Sequence, residues 1–148
     1  VNKWDLIEKE TNTMRDYERK IKAELLFASY APVVFTSVLN KQRIFDIIER
    51  CSRIADARSV RITTGKLNSI VEDAVMMRQP PSDKGRRLKI YYAAQIGTKP
   101  PLFSFSINDR ELMHFSYARY LENKIREAFD FEGTSIKFVW SERRGERK

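Results

Sequence analysis

LKIYYAAQIGTKPPLFSFSI, residues 88–107, is the stretch that decides the fold. Its apolar residues recur at every second position on both sides of a Gly-Thr-Lys-Pro-Pro break. Leu88, Ile90, Tyr92, Ala94 and Ile96 fall on one face of the first run, and Phe103, Phe105 and Ile107 oppose Leu102, Ser104 and Ser106 in the second. A period of two marks strands with one wet face, so the stretch predicts an antiparallel pair. A helix precedes it, carrying Leu67, Ile70, Val71 and Ala74 at helical spacing, with a turn at Pro80 to Gly85 between. After it, Asn108 with Glu111 resembles a capping box, predicting a long helix that buries Met113, Tyr117, Tyr120, Leu121, Ile125 and Ala128 and stops by Gly133. Ile136, Phe138 and Trp140 alternate in a final strand before the charged tail SERRGERK. The order helix, strand, strand, helix, strand gives an α+β fold: a three-stranded sheet with two helices packed on one face.

Residues 1–57 have a different rhythm. Thr13 and Asp16 start a helix whose stripe is Met14, Tyr17, Ile21 and Leu25, and Pro32 ends the following segment. Val33, Val34 and Phe35 read as a short buried strand, followed by a helix with Ile44, Ile47, Ile48, Cys51, Ile54 and Ala55 at helical spacing. This is the pattern of a piece of α/β sheet, placing a boundary between residues 1–57 and 58–148.

The chain holds 148 residues, 42% hydrophobic and 11% aromatic, which excludes a disordered polymer. No run approaches the ~18 apolar residues of a membrane span, and the N-terminus lacks the features of a secretory signal. A cytoplasmic protein with no membrane partner is expected. One Cys and one His are too few for a structural zinc site. Residues 1–57 hold 10 basic and 9 acidic side chains, whereas 58–148 hold 18 and 11, so nearly all the positive excess is C-terminal. The first residue is Val1 and a motif follows at once, so the sequence reads as a fragment of something longer.

That motif is Asn2-Lys3-Trp4-Asp5, an NKxD. A carboxylate at Asp5 can accept two hydrogen bonds from the N1 and N2 edge of guanine, which adenine does not offer. Lys3 can lay its methylene stem along the purine while its ammonium stays in water, and Asn2 can tie the loop to neighbouring backbone. A second element, Phe35-Thr36-Ser37-Val38-Leu39, lies about thirty residues on at a strand end, where α/β proteins place ligand loops. There the backbone N–H of a small-residue loop can meet guanine O6. No GxxxxGKS or GxxxxGKT stretch and no switch motif is present, so this chain alone is not expected to hold phosphates or to hydrolyse GTP.

Residues 79–140 closely resemble the C-terminal KH-like domain of the bacterial tandem GTPase family Der, also called EngA. The most specific stretches are PPL at 100–102, SINDRELMHFSYARYLE at 106–122 and FEGTSI at 131–136. Residues 1–57 resemble the end of that family's second P-loop GTPase domain, from its NKxD onward. The family's loop reads Ser-Ala-Leu, and here Val38 stands for the alanine, adding bulk beside the base. The resemblance implies a GTP/GDP-binding protein that assists assembly of the large ribosomal subunit. In it the KH-like domain packs on the GTPase domains and responds to their nucleotide, and the magnesium ion is held by residues outside this chain. Asn2, Lys3, Asp5, Ser37 and Val38 become the guanine-binding set.

An RNA rather than a DNA partner is expected, and composition independently favours a phosphate-rich one. Candidate contacts are Arg86, Arg87, Lys89 and Lys99 around the strand pair, and Arg143, Arg144, Arg147 and Lys148 in the tail. KH modules clamp RNA with a GXXG loop, which the sequence lacks, so contact must use another surface. A stand-alone RNA-binding module and a domain that only docks on protein are the alternatives. The aromatics Tyr91, Tyr92, Phe103, Phe105, Phe115, Tyr117 and Tyr120 are read mainly as core, Cys51 as a small core residue, and His114 is given no role.

Overall fold

The computed structural model describes residues 1–143. It divides into two compact units, 1–57 with 132–135, and 58–131 with the segment from Ile136 onward.

In the first unit, α1 (Thr13–Glu24) starts where the Thr13 hydroxyl accepts from the Glu10 amide at 2.7 Å. Its Tyr17 side chain, itself exposed, meets Trp4 edge-on at 5.5 Å, and Trp4 packs on Phe35 at 4.3 Å, so the two buried rings Trp4 and Phe35 make a small aromatic core. Val33 to Phe35 do not form a regular strand. They run extended beside the N-terminus, bonded through Val1 N to Val34 O (2.8 Å), Thr36 N to Val1 O (2.7 Å) and Trp4 N to Thr36 O (2.9 Å). α2 (Ile44–Ala57) has the expected apolar stripe, yet Ile47, Ile48 and Cys51 are exposed. Cys51 is therefore not a core residue: helical spacing marks which side chains share a face, and no described residue covers this one. Gly133 adopts φ 68°, and a Cβ there would run into the Ile54 side chain.

In the second unit, α3 (Thr64–Met77) turns Leu67, Val71 and Ala74 inward, as the spacing predicts. The turn after it is a miniature hairpin, β1 (Ser82–Asp83) and β2 (Arg86–Arg87). Lys84 (φ 47°) and Gly85 (φ 78°) at its tip have the two positive φ values of a type I′ turn. β3 (Ile90–Gly97) and β4 (Leu102–Ile107) pair antiparallel, and β5 (Lys137–Glu142) runs parallel to β4, giving the sheet order β3-β4-β5. α4 (Phe115–Ala128) buries Tyr117, Leu121 and Ile125, but leaves Ala128 exposed. One cluster joins Leu67, Val71, Leu121 and Ile125 to Phe103, Phe105 and Ile107, so both helices cover the same face of the sheet. The unit has the α+β architecture the strand pattern predicts.

Two further local expectations fail for physical reasons. The period-two face of residues 88–96 does not hold, because a β-bulge lies between Ile90 and Tyr92. Beyond it the inward residue is Ala93, while Tyr92 and Ile96 are exposed. A single extra residue reverses every later side chain. The capping box is also absent. Asn108 is already engaged with the chain before β3, accepting from Lys89 N at 2.7 Å and donating to Arg87 O at 3.0 Å. The helix opens instead at Phe115, where His114 Nδ1 accepts from Ser116 N at 3.3 Å.

The outer edge of β3 is closed by a side chain. Asn68 on α3 donates to Ala93 O and accepts from Ala93 N, both at 2.8 Å, so its amide pairs with the strand as a peptide group would. Gln95 anchors the segment ahead of α3 by accepting from Ile62 N at 2.7 Å and donating to Val60 O at 2.9 Å.

Candidate functional site

The NKxD residues and the Ser37 loop meet within the first unit. The Ser37 hydroxyl donates to Asp5 Oδ1 and accepts from Asn40 N at 3.2 Å, while Asn2 Oδ1 accepts from Val38 N at 3.3 Å. Backbone bonds close the loop between Ser37 and Gln42 at 2.8 and 3.3 Å. Lys3 is held at φ 61°, which turns the chain sharply between Asn2 and the single helical turn Trp4–Leu6. The buried Trp4 side chain fixes that turn from below.

Around these contacts lies a recess of about 260 Å³, lined by Asn2, Lys3, Asp5, Leu6, Val38 and Leu39. One carboxylate, one amide, one cation and three apolar side chains suit a flat polar heterocycle whose faces are apolar and whose edge carries donors. The Asp5 carboxyl is held below its ordinary range, first by the Ser37 hydroxyl bond, then by a backbone bond, with smaller help from Lys9 and Lys3 against the cost of burial. The group therefore stays ionised and remains an acceptor at neutral pH. The Val38 N–H is shared with Asn2, so its use for guanine O6 involves a competing acceptor. Leu6, which helps complete the recess, carries no signal in the motif pattern, whereas Leu39 is the leucine of the Ser37-Val38-Leu39 loop.

The basic residues do not all share one place. Lys89 precedes β3, and Arg143 follows β5 beside the end of β4, its amide bonded to Ile107 O at 2.9 Å. Arg143 holds its guanidinium 5.7 Å from the Tyr91 ring centroid. Arg86 is ion-paired with Asp109 at 2.6 Å, and Arg87 is exposed beside it on β2. Lys99 lies past the opposite end of β3, which at ~3.3 Å per residue puts it about 25 Å from Lys89. Arg144, Arg147 and Lys148 lie outside the described residues. Among the aromatics, Phe103, Phe105 and Tyr117 are core, but Tyr91, Tyr92 and Phe115 are exposed, which corrects the core assignment for these three. Among the described residues no cluster of His, Cys, Asp and Glu could hold a metal ion, and no helix is long and apolar enough to cross a membrane.

The sequence profile of the family described as "KH-domain-like of EngA bacterial GTPase enzymes, C-terminal" matches residues 61–141. The chain is 52% identical to GTPase Der of Alkaliphilus oremlandii, over 98% of this chain and 33% of that protein. It is 53% identical to GTPase Der of Ruminiclostridium cellulolyticum, over 99% and 33%. With GTPase Der of Enterococcus faecalis the figures are 51%, 94% and 32%. The chain thus spans about a third of the length of the curated relatives it matches.

Proposed function

The chain belongs to the EngA family of bacterial GTPases, and on that premise we propose that it supplies the base-reading half of a guanine-nucleotide site together with a KH-like module that contacts ribosomal RNA. In this reading GTP or GDP binds with its guanine on Asp5, its purine face against the Lys3 stem, and Asn2, Ser37 and Val38 holding the loop in shape. Phosphate and magnesium contacts come from chain outside these residues. The KH-like unit relays the nucleotide state to the large ribosomal subunit or its precursor, and the whole acts in ribosome assembly in the cytoplasm.

The observation that carries the reading is the Ser37–Asp5 and Asn2–Val38 pairing around one recess. Two loops about thirty residues apart are cross-braced so that an ionised carboxylate lines a slot of nucleobase dimensions. The net positive charge of residues 58–148 supports the RNA half of the proposal. Titrating the chain with guanosine and with adenosine while following backbone amide resonances tests the first half. Shifts confined to Asp5, Val38 and Leu39 with guanosine alone support it, and equal or absent shifts with both nucleosides count against it.

A further inference from the structure

We propose that the open face of the β3-β4-β5 sheet is a stacking platform for unpaired RNA bases, with Tyr91 and Tyr92 as its rings and Arg143 as their cationic neighbour. This rests on the RNA reading above and names the surface that makes the contact.

Register defines the face. Ala93, Phe103, Phe105, Ile107, Phe138 and Trp140 belong to or pack on the core beneath α3 and α4. Their alternates, which include Tyr92, Ala94, Ser104, Ser106, Val139 and Ser141, occupy the other side. The bulge inserts Tyr91 beside Tyr92 opposite Ser106, so two consecutive rings leave the sheet there, 48% and 50% exposed. Bulges commonly re-aim side chains at sites, and here one turns Tyr92 away from the core to stand beside Tyr91, which alternation already places on the open face.

The charge on this face has one sign. Among the residues of β3, β4 and β5, those on the face opposite the core include Lys137 and no Asp or Glu. Glu142 pairs with Ile107 on the covered side and accepts from Arg110 N at 2.8 Å. Arg143 lies over Tyr91, and Lys89 is exposed just ahead of β3. Exposed rings, a guanidinium and a serine-rich floor without carboxylates match a polyanion that also offers π faces. Duplex RNA hides its base faces and would leave the rings unused, so the match is to single strands, loops or bulges. Other RNA-binding sheets present aromatic side chains to splayed bases in this way, and it gives a module without a GXXG loop a means of binding RNA.

The test is fluorescence anisotropy of the whole chain with a labelled unstructured oligoadenosine and with an RNA duplex of equal length. The single strand is expected to bind more tightly. Tyr91→Ala with Tyr92→Ala weakens it by about ten-fold or more, whereas Tyr91→Phe with Tyr92→Phe, which keeps the rings, stays within two-fold of the parent. Arg143→Ala lowers the log–log salt slope by ~0.7. If the parent binds RNA and the double alanine variant, folded by circular dichroism, binds equally well, the platform is wrong while the RNA reading stands. If the parent binds neither RNA, both fall, and a protein partner takes this surface instead.

Discussion

Replacing Asn68 by alanine should destabilise the KH-like unit far more than a half-exposed helix residue normally does. The side chain makes three bonds, to Thr64 O at 2.7 Å and to both backbone groups of Ala93 at 2.8 Å. Ala93 is fully buried, so its N–H and C=O lose their partners on an edge to which water has only partial access. At about 1–1.5 kcal/mol for each orphaned group the loss is ~2–3 kcal/mol, and alanine's better helix propensity returns ~0.5 kcal/mol. The net is about 2 kcal/mol, or a melting temperature lower by ~8–16 °C for a unit of this size. Urea unfolding of the parent and Asn68→Ala, followed by near-ultraviolet circular dichroism, measures it. Hydrogen exchange at the Ala93 amide should accelerate about thirty-fold. A change below ~0.5 kcal/mol with unaltered exchange at Ala93 would refute the idea that this amide closes the sheet edge.

Four further outcomes are expected. Tyr117→Phe removes the bond from its hydroxyl to Arg78 O, 3.0 Å, at the C-terminal end of α3, and should cost about 1 kcal/mol in urea. Burial, with Tyr120 adding and Arg78 opposing, pushes the Tyr117 phenol up to about 12 from its ordinary 10. The unfolded chain therefore ionises first as pH rises from about 10 to 12, and the parent loses stability across that window while Tyr117→Phe loses less; parallel pH profiles would contradict this. Gly133→Ala forces a Cβ into φ 68° and against Ile54, so unfolding measurements should show a loss of ~1–3 kcal/mol, and a neutral result would mean that Ile54 moves aside freely. His114→Ala should cost ~1 kcal/mol and fray the first turn of α4, with His114→Asn restoring most of it, as read by exchange at Ser116 and Tyr117. Amides of residues 1–57 should exchange faster than those of the KH-like unit, because α1 buries no residue and α2 only Ala57; equal protection would count against it.

How much of this was legible depended on how local the determining physics is. The strand of Phe103, Phe105 and Ile107 and the helix stripe of Tyr117, Leu121 and Ile125 follow from periodicity alone, because each packs one regular face on one core. Tyr92 leaves the core face because of a bulge that a period-two pattern does not reveal, whereas the exposure of Tyr91 follows from the alternation itself. Asn108 looked like a cap because its competing partners, Lys89 and Arg87, are distant in sequence. His114, the actual cap, lacks the usual residue type. The pairing of Asn68 with Ala93 had no sequence signal, since an asparagine amide reads the same whether it faces water or a strand. Asp5 and Ser37 were legible through the NKxD motif and the strand-end loop, but their direct hydrogen bond and the apolar Leu6 and Leu39 walls emerge only in three dimensions.

The central claim is that Asp5 reads a guanine edge, and exchanging its chemistry tests that most directly. Asp5→Asn replaces an acceptor of the guanine N1 and N2 donors by a group that can donate to the C2 carbonyl of xanthine. Nucleoside titrations of the chain and of Asp5→Asn should show guanosine preferred by the first and xanthosine by the second, with at least a ten-fold swing in relative affinity. The same preference in both proteins, or a loss of all binding without a gain for xanthosine, would contradict the assignment of Asp5 as the base-reading residue.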